Sequence, residues 1–181
     1  MIYGERVRLR HVERDDLHKF VNWLNDPLVI QGISMYLPIS MDEEDSWYED
    51  VLKRPNEERP LCIDAKYEDG WQLIGNSGFF SIDWRNRSAE FGIFIGDTAY
   101  WDQGYGTEVV RLILQHGFFT LNLHRIFLRV FADNPRAIRV YEKVGFVHEG
   151  RQRQAVYWNG KYQDVLLMSV LRPEWEERTE E

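Results

Sequence analysis

Two stretches of this chain combine residue types that suit group transfer: Trp101-Asp102-Gln103-Gly104-Tyr105-Gly106-Thr107-Glu108 and the segment from Asp133 to Phe146. The first reads as a glycine-bracketed helix start. Such a start presents unpaired backbone N–H groups and the positive end of a helix dipole, which suit a phosphate or pyrophosphate. Gly104 and Gly106 remove side chains where backbone must come close to a diphosphate, leaving the N–H groups of Gln103 to Thr107 as donors. The plain alternative is a flexible turn that opens a core helix. A dinucleotide fold fits worse, because a third glycine and a following βαβ unit with a ribose-binding acid are both missing. In the second stretch Tyr141 lies four residues after Ala137 and seven after Asn134, so the three share one helical face.

These residues need a frame to hold them. Residues 7–10 alternate apolar and charged, as in a half-exposed strand. Leu17, Phe20, Val21 and Leu24 mark one face of a helix, which Asn25-Asp26-Pro27 stops. Ser40 caps a second helix over Met41–Lys53, with acids from Asp42 to Asp45 at its start and Trp47, Tyr48 and Val51 turned inward. Residues 61–67, 72–83 and 89–95 read as strands separated by turns. A continuous apolar stripe from Val109 to Leu121 marks the main helix, and a strand follows at 126–131. Asn134, Pro135 and Gly145 stand at N-cap, first turn and end of a helix over 135–144. Two short strands at 146–150 and 154–158 flank a turn, and Asn159-Gly160 signals a hairpin into a last strand at 164–171. Residues 1–181 read as one α+β domain, with 173–181 as a charged tail expected to fray.

The ordered series resembles the GNAT superfamily of N-acetyltransferases over roughly residues 7–171. The superfamily's phosphate loop, Arg/Gln-x-x-Gly-x-Gly/Ala, is similar to Trp101-x-x-Gly104-x-Gly106. Trp101 departs from it in the manner of the branch of ribosomal-protein N-terminal and spermidine acetyltransferases. Arg87-Ser88-Ala89-Glu90-Phe91-Gly92-Ile93, Leu121-Asn122-Leu123-His124-Arg125-Ile126 and the Asn134…Ala137…Tyr141-x-Lys143-x-Gly145-Phe146 pattern resemble its later elements. The resemblance implies a GNAT fold: one central, largely antiparallel twisted sheet with splayed central strands, flanked by helices.

It also implies roles. Gln103, Gly104, Tyr105, Gly106 and Thr107 would take the diphosphate of acetyl-CoA, and Phe94 and Ile95 its amide arm, with an N–H near Ile95 for the oxyanion. Asn134 would bond the pantetheine, although its capping role also accounts for it. Lys143 is the basic residue assigned to the cofactor, with Arg136 and Arg139 as others that could approach the 3′-phosphate; a solvated helix face is their alternative. Tyr141 would protonate the departing thiolate. A phenol near ~10 and a thiol near ~8.5 make that transfer nearly balanced; a core tyrosine is the alternative. Glu90 would hold or deprotonate the acceptor amine, and its alternative is a strand carboxylate paired with Arg85 or Arg87. An amine of pKa near ~10.4 is only about one part in a thousand neutral at pH 7, so that proton matters.

Composition narrows the field. Hydrophobic residues make up 44% of the chain, enough to fill a core. A net charge of -8 disfavours nucleic acid and would attract a cationic acceptor. The single cysteine, Cys62, cannot pair internally, and no leader or membrane-length apolar run is seen, so cytoplasmic work with no membrane partner is expected. Cys62 lies outside both motifs, which argues against an acyl-enzyme. No metal-ligand spacing is visible. The acceptor, a small-molecule or peptide amine, and any homo-oligomer are left open. An amino-sugar acetyltransferase and a catalytically silent CoA-binding sensor are the other readings.

Overall fold

The structure, a computed structural model, describes residues 1–33 and 35–180. The strands are β1 (Ile2–Tyr3), β2 (Val7–His11), β3 (Leu61–Tyr67), β4 (Gly70–Asp83), β5 (Ser88–Ile95), β6 (Arg125–Phe131), β7 (Val147–Trp158) and β8 (Lys161–Leu171). The α-helices are α1 (Leu17–Leu24), α2 (Met41–Lys53), α3 (Tyr105–Gln115), α4 (Pro135–Val144) and α5 (Arg172–Glu180). The eight strands form one sheet in the order β1-β2-β3-β4-β5-β6-β8-β7. β5 runs parallel to β6, whereas β1/β2, β2/β3, β3/β4, β6/β8 and β7/β8 are antiparallel. This is the largely antiparallel α+β sheet that the sequence implies. Among the described residues the β5/β6 ladder covers only Ser88, Ala89 and Glu90, and β5 continues to Ile95 beyond it. No helix among the described residues is long and apolar enough to cross a membrane.

Residue contacts divide the chain into two compact units. The first comprises Met1–Phe79 and Gly92–Leu112. Leu9, Leu17, Phe20, Ile63, Ile74 and Val110 are buried at its core. α2 starts where a capping box fixes it: the Ser40 hydroxyl accepts from the Glu43 N–H at 3.2 Å, and the Glu43 carboxylate accepts from the Ser40 N–H at 2.8 Å. Arg10 ties β2 to the start of α1, donating to both carboxylate oxygens of Asp16 at 2.7 and 2.8 Å, and shares Asp64 with Arg8. These buried charges are paired, as their desolvation demands. Cys62 is wholly buried, its thiol donating to Asp16 at 3.3 Å, and burial pushes its pKa well above the usual thiol range. It is no nucleophile.

The second unit comprises Phe80–Phe91 and Ile113–Glu181. α4 keeps the ends read from the sequence. The Asn134 side chain accepts from the Ala137 N–H at 3.2 Å, Pro135 occupies the first turn, and Gly145 ends the helix at φ 114°. Three expectations are corrected here. The apolar stripe of the main helix does not stay α-helical to Leu121, because a π turn, His116–Thr120, follows α3 and buries Gly117 and Phe118. The two short strands expected at 146–150 and 154–158 are one strand, β7. Its ladder with the long β8 shifts register after His148 and again after Gln152, and these bulges absorb what reads locally as a turn. Finally, the expected fraying tail at 173–181 is helical through Glu180, and Glu181 lies outside the described residues. Trp175 is buried against Phe118 at 6.5 Å between ring centroids, and Glu174 caps the helix start by accepting from the Leu171 N–H at 2.9 Å. Pro173 falls within the first turn, where its missing N–H costs nothing.

Candidate active site

In the first unit the loop before α3 is built by two residues in left-handed backbone. Asp102 has φ 57° and Gly104 φ 87°. The first helical hydrogen bond runs from the Glu108 N–H to the Gly104 carbonyl at 3.1 Å. The N–H groups of Tyr105, Gly106 and Thr107 precede it in the first turn and have no acceptor within the helix. Gly106 differs from Gly104 in one respect. Its φ is ordinary, and a Cβ placed on it would find nothing nearer than the Ile95 Cδ1 at 3.7 Å. Packing within the protein therefore does not demand glycine at this position. A diphosphate drawn up to bare backbone does, so the loop fits the ligand that the sequence implies.

The same loop is tied to the end of β5. The Trp101 indole donates to the Ile95 carbonyl at 2.8 Å, and the Gln103 amide donates to the Ala99 carbonyl. β5 bulges as it ends, because Gly96 and Asp97 both donate to the Ile74 carbonyl, at 2.9 and 3.1 Å. Gly75 permits that path: a Cβ on it would lie 2.2 Å from the Phe94 carbonyl oxygen. Gly96 does the same for α1, since a Cβ there would meet the Trp23 ring at 2.1 Å. Phe94, Phe20, Trp23 and Trp47 form an aromatic cluster with ring separations of 6.1 to 6.4 Å. Tyr48 on α2 is also buried. Most of the acidic run on α2 faces outward, with Asp45 and Glu49 paired to Arg14. Glu44 alone of that run is buried, and burial raises its pKa to about 7.

In the second unit Tyr141 is 8% exposed on α4, set edge-on to Phe91 with centroids 6.4 Å apart and packed on Phe146 at 5.6 Å. Burial raises its pKa to about 12, so its hydroxyl is protonated at any physiological pH. That hydroxyl makes no hydrogen bond among the described residues. Asn134 stands at the opposite end of α4 from Lys143, about 13 Å away at 1.5 Å of rise per residue. Lys143 is exposed. Glu90 is paired with neither Arg85 nor Arg87; it accepts from Arg129 on β6, at 2.8 Å from Nε and 3.3 Å from Nη2. The β5/β6 register sets Glu90 beside Phe127, which puts Arg129 one alternation further along the neighbouring strand.

A family model described as an acetyltransferase (GNAT) domain matches residues 6–147. The chain belongs to the GNAT acetyltransferase family. It is 34% identical over 178 residues to the spermidine N(1)-acetyltransferase of Vibrio cholerae, covering 98% of this chain and 99% of that one. It is 29% identical over 169 residues to the spermidine N(1)-acetyltransferase of Escherichia coli K12, covering 93% and 88%. The solved spermidine N-acetyltransferase of Vibrio cholerae in complex with CoA and spermine superposes with a TM-score of 0.87 at 31% identity, over 96% of this chain and 99% of that one. The chain is thus an N-acetyltransferase, and GNAT acetyltransferases draw the acetyl group from acetyl-CoA. Within the first unit the structure ties the loop of Gln103 to Thr107 to Ile95, the neighbour of Phe94; within the second it places Tyr141 on α4, Asn134 at its N-cap and Glu90 on β5. Sequence reasoning missed Arg6, Glu108, Gly75 and the Arg129 partner of Glu90. Their contacts join residues far apart in the chain, and no local pattern marks them.

Proposed function

We propose that this acetyltransferase transfers acetyl directly from acetyl-CoA to a primary amine of a polyamine of the spermidine class, in the cytoplasm. The observation that carries this reading is the full-length likeness to spermidine acetyltransferases, one of them solved with CoA and spermine. A net charge of -8 adds attraction for a polycation.

The N–H groups of Gln103, Gly104, Tyr105, Gly106 and Thr107 hold the diphosphate, Phe94 and Ile95 line the amide arm through their backbone, Asn134 bonds it, and Lys143 meets the 3′-phosphate. Acetyl-CoA supplies an activated thioester when bound. The Ile95 N–H stabilises developing negative charge on the carbonyl oxygen. Tyr141 holds a proton for the departing thiolate, and the proton lost by the amine balances it. With a pKa of about 12 the phenol is a weaker acid than its free counterpart, but a thiolate in an equally dry place is a stronger base, so the match survives. Glu90 serves as an anchor for the acceptor's cationic amine. Both its oxygens already accept from Arg129, which leaves a poorly placed lone pair for proton abstraction.

Thiol release from acetyl-CoA, measured over spermidine, spermine, a peptide with one free N-terminus and an amino sugar, tests the reading. Spermidine or spermine should give the highest kcat/KM. Glu90→Gln should raise KM for the polyamine severalfold while acetyl-CoA affinity stays constant. Turnover confined to the peptide or the sugar would overturn the acceptor assignment.

A further inference from the structure

The diphosphate loop has an electrostatic deficit. From Trp101 to Glu108 it carries two acids, Asp102 and Glu108, and no basic side chain. Where related loops begin with Arg or Gln, this one has Trp101, whose indole N–H is spent on the Ile95 carbonyl at 2.8 Å. Backbone N–H groups alone would have to hold a doubly charged group beside two carboxylates.

We propose that Arg6, at the chain's first turn into β2, supplies the missing cation and is a binding residue for the diphosphate of acetyl-CoA; this rests on the acetyl-CoA reading above. Its Nη1 donates to the Gln103 carbonyl at 3.1 Å, inside the loop. Its Nη2 lies 3.2 Å from where a Cβ on Gly104 would sit, so the guanidinium edge borders the bare backbone of the loop. Its plane rests on Tyr105, with Cζ 4.5 Å from the ring centroid. Glu108 fixes this pose, because its carboxylate accepts from the Arg6 Nε at 3.2 Å, the Arg6 N–H at 2.8 Å and the Val7 N–H at 3.3 Å. Gly4 makes room for that carboxylate, since a Cβ there would lie 2.7 Å from the Glu108 Oε1. The Arg6 side chain is 47% exposed, so its remaining N–H donors can reach a ligand. Glu108 is thus a positioning residue: it neutralises part of the Arg6 charge but aims the rest at the loop.

Calorimetric titration with wild type, Arg6→Ala and Arg6→Lys against three ligands tests this. The ligands are acetyl-CoA, 3′-dephospho-CoA and acetyl-pantetheine, which lacks the diphosphate. Arg6→Ala should weaken acetyl-CoA and 3′-dephospho-CoA by the same factor, about ten- to a hundredfold for one charged hydrogen-bonding group, and leave acetyl-pantetheine unchanged. Arg6→Lys should recover part of the loss, and the wild-type affinity for acetyl-CoA should fall more steeply with salt than that of Arg6→Ala. Equal weakening of all three ligands would make Arg6 a clip holding β2 to α3 and overturn the proposal. So would a loss seen with acetyl-CoA but not with 3′-dephospho-CoA, which would assign Arg6 to the 3′-phosphate. Failure of wild type to bind any of the three would instead remove the acetyl-CoA reading itself, separately from the role of Arg6.

Discussion

Glu44 gives the sharpest physical test of the fold. It is 5% exposed on the inner face of α2, one turn before Tyr48, and its carboxylate accepts no hydrogen bond among the described residues. Burial raises its pKa from 4.5 to about 7. Between those values the folded protein binds a proton that the unfolded chain has released, so stability falls as pH rises through that window. At about 1.4 kcal/mol per unit, ionised Glu44 costs about 3 kcal/mol above pH 7 and nothing below pH 4.5. Glu44→Gln keeps the shape and the polar burden but cannot ionise. It should match wild type near pH 4.5 and exceed it by up to about 3 kcal/mol at pH 8, equivalent to roughly 6–12 °C in Tm for a chain of this size. Urea unfolding of both proteins at half-unit steps from pH 4.5 to 8 measures the difference. A gap that does not change with pH, or a mutant less stable at pH 8, would refute the reasoning. The carboxylates held low by partners, Asp16 beside Arg10 and Glu149 beside Arg125 among them, act in the opposite sense. They stabilise above the ordinary carboxylate range and lose that contribution as pH falls below it, so the two effects separate on the pH axis.

Tyr141→Phe keeps the packing on Phe91 and Phe146 but removes the hydroxyl, so kcat should fall roughly ten- to a thousandfold with acetyl-CoA affinity unchanged; wild-type turnover would return Tyr141 to the core. Gly106→Ala meets no protein atom closer than 3.7 Å, so it should melt with wild type yet bind acetyl-CoA at least tenfold more weakly by calorimetry, whereas undiminished binding would break the diphosphate assignment. Gly75→Ala must displace the Phe94 carbonyl and should lose both stability and activity, by about 1–3 kcal/mol in urea unfolding; a neutral result would show the β5 bulge to be freely adjustable. Trp175→Ala empties a buried site against Phe118 and should cost about 3–5 kcal/mol, while an effect under 1 kcal/mol would mean that α5 adds little.

What could be read from the sequence was what is written locally. Ser40 with Glu43, and Asn134 with Pro135 and Gly145, each specify a helix end within a few residues, and both helices keep the expected bounds. β7 and α5 escaped because their reasons are distant. The bulged strand stays one strand because it pairs with β8 on both sides of its register shifts, and the charged tail is helical because Trp175 finds Phe118, 57 positions earlier in the sequence. Local charge density argued for fraying; one buried indole outweighs it.

The site divides along the same line. Gly104 was legible as a glycine that leaves room for a diphosphate; that its backbone also needs positive φ, at 87°, was not. The partner of Glu90 was not. Sequence proximity suggested Arg85 or Arg87, but on a strand the neighbours that matter lie across the ladder, and β6 brings Arg129 there from 39 positions away. That pairing changes the chemistry assigned to Glu90. A carboxylate that is alone on a strand can take a proton from an ammonium group. One held on both oxygens by a guanidinium has lone pairs engaged and much of its charge offset, so it suits accepting a hydrogen bond more than taking a proton. On the function proposed above, Glu90 would therefore be a hydrogen-bond acceptor for an ammonium group of the acceptor, with deprotonation of the reacting amine left to bulk pH and solvent.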